Sequence, residues 1–280
     1  MKNELSYTLI DGIRCYNADV ANTYEDYPED GFDLMDNSVE SSFWVDSRTR
    51  LFKRLVIKYR SSKKRTKYLE IGCANGDFIR HLEGLDWLDI TGSEVYLKGL
   101  INAKKISNKS EYIQYDVTKG VLEERYDMIT AFDVIEHLED DDLALHNINE
   151  MLEDDGVLLI SVPQYMFLWS RLDEIVMHKR RYSKKRLIDG LKSNGFIIEY
   201  CTSFVFLLFP LMLLSRLFDK KKNHDDVTLN SEELQRRVNI PSALNVIFDN
   251  IVRIDERLIN LGLSLPFGGT LIVVARKGGG

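Results

Sequence analysis

The stretch YLEIGCANGD, residues 68–77, joins a short apolar run to a glycine-containing turn and then to the start of an amphipathic segment. A short apolar run that ends at glycine is typical of a buried strand, and Asp77–Leu82 has the spacing of a helix. Glycine lets the backbone approach a ligand closely, and the first turn of a helix offers free N–H groups. The stretch therefore predicts a strand–turn–helix unit of the kind that binds nucleotides.

The turn differs from two common phosphate-binding patterns. Its spacing is not Gly-x-Gly-x-x-Gly, and no Lys-Ser or Lys-Thr pair follows it. Glu70 precedes the first glycine, where its carboxylate would repel a pyrophosphate and attract a ligand that carries positive charge. A strand–turn–helix without a ligand is the alternative for this stretch taken alone.

Three later apolar runs also end on acidic residues. DITGSEV contains Glu94 near its end, YIQYD ends at Asp116, and DMITAFDV contains Asp133. Parallel strands bring their carboxyl ends to one edge of the sheet, and open α/β sheets bind their ligands there. Glu94 has the offset at which an acid reaches ribose hydroxyls, and Asp116 is placed to reach an adenine amino group. The four strand ends together predict a nucleoside-binding site at this edge.

Residues 67–200 alternate short apolar runs with amphipathic stretches. This alternation is typical of βαβ units, in which helices connect parallel strands and cover the sheet. We predict helices at Phe43–Tyr59, Asp77–Leu82, Leu97–Lys105 and Asp141–Leu152, and a last strand in GTLIVVARK. The predicted segments are an N-terminal arm or lid (1–42), an α/β domain (43–202), an apolar helical cap insertion (203–266) and the final strand of the α/β domain (267–277).

Composition narrows the class of protein. The net charge of −7 argues against a protein that binds nucleic-acid backbones. Cys15, Cys73 and Cys201 lie far apart, which fits a reducing compartment and offers neither a disulfide framework nor a zinc cluster. The N-terminal residues carry no basic-then-apolar signal segment. We therefore predict a cytoplasmic protein. The sequence also predicts no metal site, because no carboxylate cluster stands out beyond the acids at the strand ends.

The segments LEIGCANGDF, GSE, YDVT and AFDVIEHL resemble, in order and spacing, the motifs of class I S-adenosylmethionine (SAM)-dependent methyltransferases. The resemblance covers about half of the chain. It implies SAM as the cofactor and a Rossmann-like, doubly wound α/β sheet of seven strands in the order 3-2-1-4-5-7-6, with the last strand antiparallel. SAM carries an ammonium and a sulfonium, which are cations that Glu70 would attract.

The resemblance also implies roles for particular residues. The methionine part would contact Gly72, Cys73 and Gly76, and the ribose would contact Glu94. The adenine would contact Asp116 and Val117, and the sulfonium side would contact Asp133 and Val134. Ala74 stands where the family usually has a glycine. Its methyl group is expected to be tolerated if the residue keeps a negative φ.

Two histidines are candidate general bases. Phe-Asp-Val-Ile-Glu-His follows the fourth strand in place of the Asn/Asp-Pro-Pro-aromatic motif of nucleobase amino-methyltransferases, and it contains His137. His178 follows the fifth strand, in a segment similar to that of methyltransferases acting on quinones, glycans and other small acceptors. An imidazole near neutral pKa suits removal of a hydroxyl proton, so these positions predict O-methylation. Helix capping or support of a neighbour is the alternative role for each histidine, and Asp173 and Tyr182 are further pocket candidates.

The insertion is the second informative region. Val205–Leu214 has no polar side chain, and Lys220, Lys221 and Lys222 follow soon after. Because the apolar run is too short to span a bilayer and contains Pro210, it predicts either a buried cap or a surface that dips into an anionic membrane. An amphipathic helix at 241–262 is expected to pack over this run through one apolar face, which comprises Leu244, Ile247, Ile251, Ile254 and Leu258.

These observations predict a SAM-dependent methyltransferase with a small-molecule, glycan or lipid-linked acceptor and, as an alternative location, peripheral association with the inner membrane face. A non-catalytic scaffold or regulatory subunit with the SAM fold is a second interpretation. A nucleic-acid methyltransferase is a third, and the acidic net charge opposes it. The sequence makes no prediction of the oligomeric state.

Overall fold

The computed structural model describes residues 5–23, 42–219 and 240–279. They form one sheet with helices on both faces. The strands are β1 (Thr8–Ile10), β2 (Ile13–Cys15), β3 (Thr66–Ile71), β4 (Leu88–Glu94), β5 (Glu111–Gln114), β6 (Tyr126–Phe132), β7 (Leu152–Pro163), β8 (Phe196–Phe204) and β9 (Thr270–Lys277). The α-helices are α1 (Phe43–Lys58), α2 (Asp77–Leu82), α3 (Leu97–Ile106), α4 (Asp141–Met151), α5 (Arg171–Ile175), α6 (Lys184–Ser193), α7 (Phe209–Asp219) and α8 (Ser242–Asn260).

The sheet has nine strands in the described residues, in the order β1-β2-β5-β4-β3-β6-β7-β9-β8. The prediction of seven strands is therefore wrong, and the complete order differs from the predicted one. The hairpin β1–β2 extends the edge beyond β5, because β2 pairs in parallel with that strand. Counted from β3, the other seven strands lie as 3-2-1-4-5-7-6, and β9 is antiparallel to both neighbours.

The N-terminal hairpin lies inside the segment that we predicted to be an arm or lid. Its strands have three residues each, which is too short to show a period of two in the sequence. Ile13 and Cys15 nevertheless enter the core, and the N–H of Asn17 donates to the side chain of Gln114. The described part of this segment thus belongs to the sheet, and the domain boundaries remain a prediction.

Each face of the sheet has its own apolar core. One core contains buried residues of α1, α2, α3 and α8, and the other contains residues of α4 and α6. The four helices predicted in the α/β domain are present within one residue of the predicted bounds, as at Asp77–Leu82, whereas the helix predicted at 241–262 ends two residues earlier, at Asn260. The side chain of Asp140 caps α4 by accepting a hydrogen bond from the N–H of Leu143. This doubly covered architecture leaves the carboxyl ends of β3 to β7 free to form a site.

The predicted buried face of α8 is wrong in part. Leu244, Ile247 and Ile254 are between 43% and 51% exposed, whereas Asp255 and Glu256 are buried. The helix turns these acids inward because they have partners there, and it packs mainly on α1 rather than on α7. Buried carboxylates are stable only where hydrogen bonds or cations compensate their lost hydration.

Both buried acids of α8 have such partners. Asp255 accepts a hydrogen bond from the N–H of Phe206 at 2.6 Å, which ties the helix to the segment after β8. Glu256 accepts hydrogen bonds from Arg50 at 2.6 Å and Arg54 at 3.3 Å, both on α1. No helix in the described ranges is long and apolar enough to cross a membrane, and Lys220–Lys222 lie outside those ranges.

Candidate functional site

The turn between β3 and α2 requires glycine at two positions. Gly72 and Gly76 have φ values of 72° and 74°, in the left-handed region that other residues rarely adopt. A Cβ on Gly72 would lie 2.6 Å from Cγ2 of Val134, and one on Gly76 would lie 2.9 Å from Cβ of Ala103. The two glycines therefore let the turn pass close to the end of β6 and to α3.

Ala74, between these glycines, also has a positive φ, of 47°. The negative φ that was expected to make an alanine harmless is therefore absent, and the conformation costs about 1 kcal/mol for a residue with a side chain. Two hydrogen bonds compensate locally. The N–H of Ala74 donates to Oε2 of Glu94 at 3.0 Å, and the N–H of the buried Cys73 donates to the carbonyl of Ser93 at 2.9 Å. The turn is thus attached to the end of β4.

Glu94 is buried at the end of β4 and accepts hydrogen bonds from three backbone N–H groups. Oε1 accepts from Val95 at 2.7 Å and from Tyr96 at 3.3 Å, and Oε2 accepts from Ala74. Burial raises the pKa of this carboxyl, and the three donors oppose that rise. Since a carboxylate offers about four acceptor positions, contact with both ribose hydroxyls would require one backbone bond to give way.

Glu70, at the end of β3, is a buried carboxyl whose Oε2 has no hydrogen-bond partner among the described residues. Burial, together with the nearby charges of Asp77 and Glu94, raises the pKa of Glu70 to about 8. Such a group gains most from a cation that enters the turn, because a cation stabilises its charged form. The geometry therefore favours a ligand with positive charge close to Glu70.

The end of β5 carries the predicted adenine contacts. Oδ1 of Asp116 accepts hydrogen bonds from the N–H and the hydroxyl of Thr118, at 2.8 and 2.7 Å. The N–H of Asp116 donates to Oδ1 of Asn17 at 2.9 Å, and the carbonyl of the buried Val117 accepts from Nδ2 of Asn147 at 2.7 Å. Our sequence reasoning missed Asn17, which lies in the N-terminal segment without periodicity. It supports the loop that an adenine would contact.

Asp133 follows β6 with a φ of 55°, a second strained position at the carboxyl edge. Its carboxylate accepts hydrogen bonds from Arg48 of α1 and from the hydroxyl of Ser161, the latter at 3.0 Å. The guanidinium of Arg48 also lies 5.2 Å from the ring centre of Trp44 and 5.0 Å from that of Phe52. Sequence reasoning missed Arg48, which no motif marks. It brings a positive charge to the place beside Asp133 where a sulfonium was expected.

The two predicted bases lie together. The ring centres of His137 and His178 are 4.7 Å apart. Nδ1 of His178 is 2.9 Å from Oδ1 of Asp173, which also receives a two-point hydrogen bond from Arg181 at 2.7 and 2.9 Å. Burial would raise the pKa of Asp173, but the hydrogen bonds from His178 and Arg181 outweigh it and hold the pKa well below its usual range. The side chain of Asp173 is therefore a carboxylate, and this carboxylate orients the His178 ring.

Glu136 completes this cluster. It is fully buried, and neither carboxyl oxygen has a hydrogen-bond partner among the described residues. Nε2 of His178 lies 3.8 Å from Oε1 of Glu136. Burial and the charge of Asp133 raise the pKa of Glu136 well above its ordinary value. Sequence reasoning assigned this residue no role, although it lies inside the AFDVIEHL motif and directly before His137.

An exposed apolar surface contacts the residues that surround the histidine cluster. We call it the apolar rim, and it comprises Met166, Phe167, Leu207, Leu211 and Leu214, which are between 41% and 56% exposed. Aromatic contacts make it continuous, since Phe209 lies 6.5 Å from Phe167 and 5.1 Å from Phe267 between ring centres. The sulfur of Met166 accepts from the N–H of Arg181, which connects the rim to the histidine cluster.

A family model described as "Methyltransferase domain" matches residues 40–197, more than half of the chain. (S)-Coclaurine N-methyltransferase of Papaver somniferum is 35% identical to this chain over 65 residues. Those residues are 23% of this chain and 18% of that protein, so the chain spans less than a fifth of the relative's length. The similarity is therefore to one segment of that enzyme.

Solved structures show the same fold. The cyclase SpnF is 18% identical with a TM-score of 0.54, over 83% of this chain and 81% of its own. Phosphoethanolamine N-methyltransferase 2 of Haemonchus contortus, in complex with SAM, is 16% identical with a TM-score of 0.52, over 82% of this chain and 52% of its own. Because a cyclase shares the fold, the reaction has to be argued from the site.

Proposed function

The chain belongs to the methyltransferase-domain family with SAM as its cofactor, and we propose that it transfers the SAM methyl group to an oxygen of a small, glycan or lipid-linked acceptor. Family and cofactor were predicted from the sequence motifs, and the comparisons confirm both. The observation that carries the choice of acceptor site is the cluster of His137, His178 and Glu136 beside the apolar rim. It puts proton acceptors next to a surface suited to an apolar molecule.

The residues around the β3 turn fit this cofactor. Glu70 offers a buried oxygen without a partner, which suits an ammonium, and Gly72 leaves open a space that a Cβ would fill. We propose that Glu70, Gly72, Cys73 and Gly76 hold the methionine part, as the resemblance implies. SAM supplies a methyl group on a sulfonium, which makes that carbon strongly electrophilic.

At the other end of the site, we propose Glu94 for the ribose, Asp116 and Val117 for the adenine, and Asp133 and Val134 for the sulfonium side. Arg48 fixes the direction of the Asp133 carboxylate through the hydrogen bond between them. The guanidinium charge opposes the sulfonium charge, so the net field beside the methyl group depends on both side chains. These residues would hold the cofactor at the carboxyl edge of the sheet, the edge at which His137 and His178 also lie.

His178 is the better oriented of the two candidate bases. Because the carboxylate of Asp173 accepts the hydrogen bond from Nδ1–H, the lone pair of the neutral ring lies on Nε2. Nε2 could then take the proton of an acceptor hydroxyl. The oxygen would bond to the methyl carbon as the carbon–sulfur bond breaks, with S-adenosylhomocysteine as the leaving group. His137 lies against the same ring and is the second candidate. Holding acceptor and cofactor in line would supply much of the remaining acceleration.

A nitrogen acceptor is the second candidate, since the two N-methyltransferases described above match 23% and 82% of this chain. Methyl transfer from SAM carrying a carbon-13 methyl group, with a lysate extract as the acceptor source, separates the two. The carbon shift of the product distinguishes an oxygen-bound from a nitrogen-bound methyl group. SAM binding without transfer to any extract fraction would instead support the scaffold interpretation.

We also propose that the acceptor has a lipid or aromatic part and reaches the site along the apolar rim, with the protein bound peripherally to an anionic membrane. The support is the exposure of Leu207, Leu211 and Leu214, which a buried cap would have covered. An amphipathic surface of this kind inserts to the level of the lipid headgroups. Sedimentation with anionic vesicles tests it.

A further inference from the structure

We propose that Glu136, His137 and His178 form a binding site for a divalent transition-metal ion, with Zn²⁺ as the favoured ion. One ligand atom from each side chain lies within 4.8 Å of the other two. The three residues follow β6 and precede α6, so they lie at the same edge of the sheet as the cofactor turn. The sequence motifs predicted no metal here, because His178 is distant in the chain from the other two.

Glu136 is the first argument for an ion. A fully buried carboxyl group normally has hydrogen-bond partners, because its lost hydration is otherwise uncompensated. Neither of its oxygens has one among the described residues, and Nε2 of the His178 imidazole lies 3.8 Å from Oε1. A metal ion held by Glu136 and the imidazoles would supply the missing interaction. A metal ion can also reach the site from solvent, since the His178 side chain is 15% exposed.

The orientation of His178 is the second argument. Metal-binding histidines usually donate their other ring N–H to a carboxylate, which fixes the tautomer and makes the metal-facing nitrogen more basic. His178 has this arrangement, with Nδ1 against Asp173 and Nε2 facing Glu136. Arg181 in turn holds Asp173 through two hydrogen bonds. These hydrogen bonds fix the orientation of the His178 ring, as is usual for a histidine that binds a metal ion.

The ligand set decides which ion fits. Two imidazoles and one carboxylate suit Zn²⁺, Fe²⁺, Co²⁺ and Ni²⁺, whereas Mg²⁺ and Ca²⁺ prefer oxygen ligands. Metal–ligand bonds of about 2.0–2.2 Å place tetrahedral ligand atoms about 3.4 Å apart. The 3.8 Å between Nε2 of His178 and Oε1 of Glu136 is close to that separation. Three protein ligands leave one position open.

The consequence for catalysis rests on the proposed function. An acceptor hydroxyl in the open position would lose its proton more readily, because a bound divalent cation stabilises the alkoxide or phenolate. The imidazoles would then act as ligands, and solvent or a nearby base would carry the proton away. Ion binding itself requires neither SAM nor an acceptor, so it can be tested separately.

Titration calorimetry with Zn²⁺ on the full chain, after removal of bound metal by a chelator, is the direct test. We expect one ion per chain, with affinity at least 100-fold weaker in His178→Ala and Glu136→Gln. His146→Ala removes an exposed histidine in the middle of α4 and should leave the affinity for Zn²⁺ unchanged. Asp173→Asn should weaken binding by about 10–100-fold, as for other residues that orient a metal-binding histidine.

Two further measurements keep the test decisive. The visible spectrum of the Co²⁺ form reports nitrogen and oxygen ligands without thiolate, which excludes binding at the cysteines. Binding of S-adenosylhomocysteine, measured on each variant, shows whether it has folded. Absence of stoichiometric Zn²⁺ binding in the wild type, or equal affinity in folded His178→Ala and Glu136→Gln, would overturn the metal site. The proposed methyl transfer would then still stand, and protein freed of metal by the chelator would carry it out with His178 as the base.

Discussion

Replacing Glu70 by glutamine is expected to change stability and ligand binding in opposite directions. The pKa of this buried carboxyl is about 8 in the folded chain against an ordinary 4.5. The folded state therefore binds more protons than the unfolded state between these values, and the free energy of unfolding falls as pH rises. The stabilisation is fully present below the ordinary pKa and lost once pH passes the folded value.

The size of the effect follows from the two pKa values. Between about pH 5 and about pH 7, Glu70 alone lowers the free energy of unfolding by about 2.5 kcal/mol, because each added pH unit lowers it there by somewhat less than about 1.4 kcal/mol. Glutamine does not ionise, so this part of the pH dependence should disappear in Glu70→Gln. Any cost of burying the amide is independent of pH and cancels when the two pH values are compared.

Binding of S-adenosylhomocysteine should respond with the opposite sign. Its ammonium is expected to favour ionised Glu70, so wild-type affinity should rise as pH approaches 8. Loss of the charged partner in Glu70→Gln should weaken binding at that pH by about 1.5–3 kcal/mol, or about 10–150-fold.

Urea unfolding at the two pH values and calorimetry with S-adenosylhomocysteine provide the measurements. Glu124→Gln, which removes a half-exposed carboxylate paired with Lys67 at the opposite edge of the sheet, is the control and should change neither result. Equal loss of stability with pH in wild type and Glu70→Gln would refute the stability argument. Unchanged affinity in the folded variant would remove Glu70 from the cofactor site.

Three other predictions concern the turn, the ribose position and the rim. Ala74→Gly should raise the free energy of unfolding by up to about 1 kcal/mol, because glycine adopts the left-handed conformation without strain; a lower thermal midpoint would contradict this. Glu94→Ala should weaken SAM binding by about 1.5–3 kcal/mol in calorimetry, and unchanged affinity in a folded variant would exclude the ribose contact. Sedimentation with anionic vesicles should detect bound wild type at low salt, less at high salt, and little of a Leu211→Asp, Leu214→Asp double variant. Ile106→Asp, an equally exposed residue on α3, is its control, and no wild-type binding at low salt would end the membrane proposal.

This vesicle test uses different residues from those that the sequence would suggest. The apolar run makes Phe206 and Leu213 natural choices, but Phe206 packs partly against the core and its N–H is bound by Asp255. An aspartate there would disturb folding as well as any surface. Leu211 and Leu214 are about half exposed, so their substitution tests the surface itself.

The sequence by itself determined the parts of the site that follow from local pattern. Glu70, Glu94, Asp116 and Asp133 end successive apolar runs, and parallel pairing brings such ends to one edge whatever the helices do. The strand–turn–helix around Gly72 is likewise local, because its glycines are needed by the turn's own backbone. The family, the cofactor and the bounds of the helices in the α/β domain could be predicted from the sequence for the same reason.

Only the tertiary structure decided which residues from elsewhere in the chain complete the site. Arg48 reaches Asp133 because α1 packs across the sheet, and a helical pattern does not specify which strand end its polar side chain meets. His178 meets Glu136 because the chain after β7 folds back, so that the N–H of Lys179 donates to the Glu136 carbonyl at 2.9 Å. The spacing of apolar residues in α8 likewise predicted a helix correctly, but it did not predict which face of that helix is buried. That face was set by arginines of α1 that neutralise Glu256, an interaction between residues about two hundred positions apart in the chain.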